Sequence, residues 1–168
     1  MHTINRATSR VLLCDEFDRL LLICGRDPRS TNARWWYTVG GGVEAGESFV
    51  QAAVREVQEE TATVLDPSRL SPPVLTRNTR LTVDATNLVQ YEEYRLARLT
   101  DEEVQAMHID SVEAPYGHGW WSIEKLRTPD AAVRPKSLPS VLPGILSGAY
   151  IGHPPIHLGD FDEDTDPD

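Results

Sequence analysis

"GGGVEAGESFVQAAVREVQEETA", Gly40 to Ala62, sets three glycines ahead of a helical pattern that ends in acids. Ser48 marks the start of the helix. Its hydroxyl can accept from the backbone N–H of Gln51, and the Gln51 amide can reach back, which makes a capping box. Val50, Val54 and Val57 recur at helical spacing and are expected on the core face. The pattern fades at Thr61 and Ala62, and Pro67 blocks any continuation. At about 100° per residue, Glu56, Glu59 and Glu60 share one face within a turn of each other. Like charges so placed repel, and the C-terminal end of a helix is the unfavourable end for negative charge. A solvated acidic face would account for the glutamates alone but not for the glycines. Gly40, Gly41 and Gly42 let backbone approach a ligand closely or adopt positive φ. A glycine loop feeding a carboxylate-lined helix suits a hard divalent cation, which takes oxygen ligands and offsets the repulsion.

Short apolar runs surround this segment. "SRVLLCD" and "RLLLICGR" read as two strands joined by a tight turn at "EFD", and "RWWYTV" as a strand running into the glycines. A polar loop is expected from Asp27 to Ala33. "PPVLTRNTRLTV" and "NLVQYEEYRLARL" read as two strands about a turn near Asp84 to Thr86. Thr100 to Met107 suits a short helix, and "WWSIEKLR" a strand end turning into a helix capped by Ser122. "SLPSVLPGILSGAY" is apolar but broken by prolines, so one short interrupted helix is expected there. Strands on both sides of one long helix give an α/β or mixed α+β class, with a mixed sheet covered by helices. A single domain is expected over residues 1–158, with residues 159–168 as an acidic, disordered tail.

Composition narrows the function classes. The net charge is −10, and the last nine residues hold six acids and no base, so most of the imbalance is in that tail. Without a basic stripe, an extended nucleic-acid partner is not expected. No apolar run is long enough to span a bilayer, and "MHTINRATSR" lacks the apolar stretch of a secretory signal. Cys14 and Cys24 lie in strand-like runs and read as buried thiols in a reducing compartment, so a cytoplasmic protein is expected.

The stretch from Gly41 to Thr63 reads G-x5-E-x7-R-E-V-x-E-E-x-A-T. It resembles the Nudix box, G-x5-E-x7-R-E-U-x-E-E-x-G-U with U a bulky aliphatic. Gly41, Glu47, Arg55, Glu56, Val57, Glu59 and Glu60 match. Ala62 and Thr63 depart from the family's glycine and aliphatic, and alanine in a left-handed helix cap costs about 1 kcal/mol. "WW" ahead of the glycines and "WWSIEKL" well after them fit the same resemblance, to members that carry paired tryptophans before the box.

The resemblance implies an α/β/α sandwich and a Mg²⁺-dependent pyrophosphohydrolase (Mn²⁺ being an alternative ion). Such an enzyme cleaves a nucleoside diphosphate linked to another moiety by water attack at phosphorus. It implies Glu56, Glu59, Glu60 and the Gly40 carbonyl as metal ligands, Glu59 acting directly or through water. Arg55 would orient the glutamates and Glu47 would tie the loop to the helix. Glu113 is the candidate remote base, with Glu92 and Glu93 as runners-up that face opposite ways on a strand. Trp35, Trp36 or Tyr37 would stack a nucleobase, and Gly41 and Gly42 would approach the substrate. His118 could titrate near neutral pH. The partner implied is a small nucleotide-like phosphate compound, with a homodimer as a further expectation. The alternative is a non-catalytic nucleotide-sensing module on the same fold.

Overall fold

In the computed structural model, residues 2–26, 33–129, 131–166 and 168 are described. The loop expected at Asp27 to Ala33 lies almost wholly outside them. The chain runs β1 (His2–Cys14), β2 (Leu20–Arg26), β3 (Arg34–Gly42), α1 (Phe49–Thr61), β4 (Leu75–Val83), β5 (Thr86–Arg98) and α2 (Asp101–Ala106). It continues through β6 (His118–Trp121), α3 (Ile123–Arg127), β7 (Ala132–Arg134), α4 (Leu138–Leu146) and β8 (Ile156–Asp162). The expected strands and short helices are all present.

One mixed sheet runs β6-β2-β3-β1-β5-β4-β8, and β7 pairs with β3. β1 and β5 are parallel over their whole length, whereas β4 and β5 form an antiparallel hairpin. Its tip, Asp84 and Ala85, has φ of 47° and 62°, the twist-matched two-residue turn. Both faces of the sheet are covered, which is why its central strands read as unbroken apolar runs. Leu12, Cys14, Leu20 and Leu22 face a core with α3 and α4; Val11, Leu13, Leu21 and Ile23 face one with α1. The expected three-layer sandwich is the observed architecture. Among the described residues no helix is long and apolar enough to cross a membrane.

β3 carries the site, and its pairing opens a gap there. One edge pairs with β2 through Arg34–Thr38. The other pairs first with β7 through Trp35–Tyr37 and then with β1 through Val39–Gly42. β1 and β7 thus share one edge in succession and leave a cleft between them.

α1 begins as expected. Ser48 Oγ accepts from Gln51 N at 3.1 Å and Gln51 Oε1 accepts from Ser48 N at 2.8 Å. The buried face differs from the valine stripe. Ala52, Ala53, Val57 and Thr61 are buried, and Val50 and Val54 are half-buried. The small side chains let the helix lie close to the sheet, and the two valines flank the contact. Ala62 caps the helix at φ 60°, its N–H donating to Gln58 O at 2.9 Å. Ala62→Gly is therefore expected to stabilise the fold by about 1 kcal/mol, roughly 2–4 °C in Tm. A thermal scan that shows no rise would contradict the strain assigned to this cap.

Among the described residues the acidic segment is built into the sheet, unlike the disordered tail expected. β8 runs through Asp162, so a boundary at residue 159 falls inside a strand. It pairs in parallel with β4. Asn78 Nδ2 donates to Asp160 at 2.6 Å, Arg80 pairs with Asp162, and Thr82 Oγ1 donates to Asp164 at 2.7 Å. The acids lie against arginines and hydroxyls of β4, so their charge is partly offset by the fold and not left to water.

Candidate active site

Two of the three glycines that end β3 are needed for different reasons. Gly40 sits at φ 141°, and a Cβ there would lie 2.3 Å from Ser9 O and 2.7 Å from Arg10 Cα. β1 passes too close for any side chain. At Gly41 a Cβ would lie 2.4 Å from Glu56 Oε1. The missing side chain is the space that the Glu56 carboxylate occupies, so loop and helix meet there.

Arg55 ties the helix to the loop. Its Nε and Nη2 donate to the two oxygens of Glu47 at 2.8 and 2.9 Å. Nη2 also donates to Gly42 O at 2.9 Å, and Nη1 to Glu56 at 2.8 Å and Glu59 at 3.2 Å. One planar guanidinium therefore orients three carboxylates and the third glycine's carbonyl. The Arg55 pair, with the Glu44 backbone N–H, holds the Glu47 carboxyl down at about 2. Glu47 and Glu56 raise Arg55 in turn, beyond the opposing effect of burial.

Glu60 reaches the other side of the loop, where Oε2 accepts from Gly40 N at 2.9 Å. Burial pushes its carboxyl up to about 7, against the pull of the Gly40 N–H and Arg10 and with the repulsion of Glu56 and Glu113. A half-buried carboxylate near a second one is the arrangement a cation would stabilise. Among the described residues no three acidic, histidine or cysteine side chains form a ready cation cage. Glu56 and Glu60 still offer hard oxygens on the two sides of Gly40 and Gly41. That fits an ion such as Mg²⁺, which keeps several waters and takes only one or two carboxylates from the protein.

The remaining sequence candidates divide. The Glu59 side chain is half exposed and held by Arg55. The Gly40 carbonyl accepts from Arg10 Nη1 at 3.2 Å, so a cation there shares it with a guanidinium. Glu113 is exposed yet near enough to act on Glu60. Trp35 lines the cleft, with Arg134 over its ring at 5.9 Å, and Tyr37 lines it too. Trp36 does not: it packs against Trp121 in the core with ring centroids 5.2 Å apart, which corrects its assignment to substrate. Alternation along β3 sends the two tryptophans to opposite faces. His118 is exposed on β6, away from the cleft walls.

The cleft encloses about 460 Å³. Glu92, not Glu93, faces into it, buried and bound by Arg77 at 2.5 Å and by the Tyr94 hydroxyl at 2.7 Å. Glu93 pairs instead with Arg95 at 2.9 Å. Sequence reasoning missed the cationic wall: Arg6 and Arg10 of β1, Arg26 at the end of β2, Arg77 of β4 and Arg134 of β7. A signal for it exists. Arg6, Thr8 and Arg10 alternate on the face that continues as Leu12 and Cys14, so polar residues there continue a core face.

A family model of the NUDIX domain matches residues 4–141. None of the curated proteins matches the chain. Among solved structures, a MutT protein from Methanosarcina mazei Go1 is similar with a TM-score of 0.57 and 17% identity, over 89% of this chain and 98% of that one. A C. elegans Ap4A hydrolase is similar with a TM-score of 0.58 and 18% identity, over 85% and 98%. A MutT NUDIX hydrolase from Burkholderia pseudomallei has a TM-score of 0.57 and 19% identity, over 81% and 95%. At these identities the likeness shows the fold, and the domain match covers most of the sequence. With Gly40, Gly41 and Glu60 lining one cleft and Arg55 holding Glu47, Glu56 and Glu59 beside them, the chain belongs to the Nudix family and is a hydrolase acting on phosphoanhydride bonds.

Proposed function

We propose that this protein is a Mg²⁺-dependent pyrophosphohydrolase that cleaves a nucleoside diphosphate linked to another moiety by water attack at phosphorus. One observation carries the reading: Glu56 and Glu60 flank the Gly40–Gly41 backbone, and Glu60 is half-buried near its like-charged neighbour. Glu56 and Glu60 would be the direct ligands, and Glu59 a ligand through water. A bound Mg²⁺ would neutralise the diphosphate and lower the pKa of the attacking water. Arg55 and Glu47 fix the carboxylates so that little reorganisation is needed during reaction. Glu113, or Glu59, would take the proton of the attacking water. Trp35 offers a face for the base or for the second moiety, and a cleft of about 460 Å³ suits a nucleotide-sized ligand. Both cysteines are buried and unbridged, which supports a reducing compartment such as the cytoplasm.

The test is turnover of nucleoside triphosphates, ADP-ribose, dinucleoside polyphosphates and nucleotide sugars, with Mg²⁺ and again after chelation. Activity on at least one compound is expected, lost with EDTA and in Glu60→Gln. Tight binding without cleavage would instead favour a sensing module. Turnover untouched by chelation or by Glu60→Gln would refute the metal site.

A further inference from the structure

Five arginines line the cleft: Arg26 is exposed at the end of β2, and of the four on β1, β4 and β7 three face carboxylates. Arg10 lies 3.5 Å from Glu92, Arg77 is bound by Glu92 and Asp168, and Arg134 lies 3.3 Å from Glu163. Arg6 differs. Its Nε donates to Gln90 Oε1 at 2.6 Å, a neutral partner, and no carboxylate among the described residues lies within ion-pair distance of it. A guanidinium has five N–H donors, and this bond engages one.

The position of Arg6 is informative. Its Cζ lies 4.0 Å from where a Cβ on Gly42 would be, at the edge of the glycine loop, and it lines the cleft with Gly40, Gly41 and Glu60. Burial and the like charge of Arg10 lower its pKa, against the pull of Glu92 and Glu56. Both of those acids are already held, Glu92 by Arg77 and Glu56 by Arg55. Two cations side by side, one lacking a counter-charge, make a site that an anion would relieve.

Gln90 determines where that cation points. It is buried on β5 directly opposite Arg6. Thr8 Oγ1 donates to its Oε1 at 3.4 Å, and its Nε2 donates to Thr79 Oγ1 at 3.3 Å. β1, β4 and β5 therefore fix the amide, and the amide fixes the Arg6 Nε edge. The Nη edge is left for a ligand.

We infer that Arg6 binds a phosphate oxygen of the substrate at the glycine-loop edge of the site, with Gln90 as its positioning residue. The inference rests on the diphosphate reading above and adds a second cationic contact, made by the protein itself, on the same phosphate chain. It also implies that substrates with too few phosphates to span from the Glu56–Glu60 pair to Arg6 are discriminated against.

The test uses the full chain, with inorganic pyrophosphate and Mg²⁺ as the binding probe followed by calorimetry, and with KM and kcat for any compound turned over. Arg6 sits at the rim of the cleft, its Nε edge partly buried against Gln90 and the residue as a whole exposed, so Arg6→Ala is expected to fold with Tm nearly unchanged. It should weaken pyrophosphate binding about ten- to a hundred-fold and flatten its salt dependence. Arg6→Lys should recover only part of the loss, since a point charge replaces the fork. Gln90→Met should weaken binding when Arg6 is present and cost nothing more in the Arg6→Ala background. A purely structural Gln90 would cost the same in both. Binding and KM unchanged in Arg6→Ala, or no pyrophosphate binding by the wild type, overturns the inference. If wild type turns a substrate over and Arg6→Ala changes nothing, the inference alone fails. If nothing is turned over yet pyrophosphate binding depends on Arg6, the hydrolase reading alone fails.

Discussion

Gly40→Ala is expected to destabilise the protein by about 3–5 kcal/mol, whereas Gly41→Ala, one residue on, is expected to leave Tm nearly unchanged and to cost about a hundred-fold in kcat/KM. The difference lies in what each new methyl group would strike. At Gly40 the obstacle is backbone, Ser9 O at 2.3 Å and Arg10 Cα at 2.7 Å, and φ is 141°, a region L residues avoid. Strained φ costs of order 1–3 kcal/mol and overpacking about as much again. The strand pair β1–β3 has to open to admit the methyl, and the cleft opens with it. At Gly41 the obstacle is the end of the Glu56 side chain, with Oε1 at 2.4 Å and Cδ at 2.6 Å. A glutamate can rotate away at little cost to folding. A displacement near 1 Å in a catalytic group nevertheless costs about a hundred-fold in rate. Thermal scans and steady-state kinetics on the two variants separate these outcomes. A Gly41→Ala protein with full activity would remove Glu56 from the site. A Gly40→Ala protein of wild-type Tm would contradict the close approach of β1.

That pair of positions also shows how far the sequence could be read. The contacts that build the box are local or nearly so. Ser48 caps three residues ahead, Arg55 reaches Glu56 and Glu59 along one helix, and Glu47 is eight residues away. Residue spacing alone brings such groups together. The cationic wall follows no such spacing. Arg6 meets Gln90 across 84 positions and Arg77 meets Asp168 across 91. Those partners depend on strand order and register, which no short pattern specifies. Trp35 and Trp36 show the same limit in miniature. Alternation requires them to face opposite ways, but which one enters the cleft is set by pairing with β2 and β7. The tail was misread for a related reason. A run of acids beside other acids reads as solvated charge until the arginines of β4 are placed next to it.

Arg77→Met is expected to cost about 3–5 kcal/mol and to loosen the end of the chain. Arg77 is buried, and its guanidinium serves Glu92 at 2.5 Å, Asp168 at 2.6 Å and Glu163 at 3.6 Å. Removing one partner of a buried ion cluster leaves charge that neither water nor protein compensates. The three acids are not equally affected. Glu92 keeps Arg10 at 3.5 Å and the Tyr94 hydroxyl, and Glu163 keeps Arg134 at 3.3 Å. Asp168 has no other ion pair among the described residues, so the segment beyond β8 is the part expected to open. The pH response follows from Glu92. Burial alone would raise its carboxyl, but Arg77, Arg10 and Tyr94 bring it below its ordinary value of 4.5. A depressed carboxyl contributes stability that is present above the unfolded value and is lost as pH falls through the folded one. Wild type should therefore hold its stability down to the ordinary carboxylate range and lose it below. Arg77→Met, without the cation nearest Glu92, should begin to lose stability at higher pH. Urea unfolding at pH 7 and across the acid range measures both effects, and amide exchange in β8 reports the release of the tail. A loss under about 1 kcal/mol with β8 still protected would mean that pairing with β4 holds the acidic segment and that its carboxylates only decorate a strand already in place.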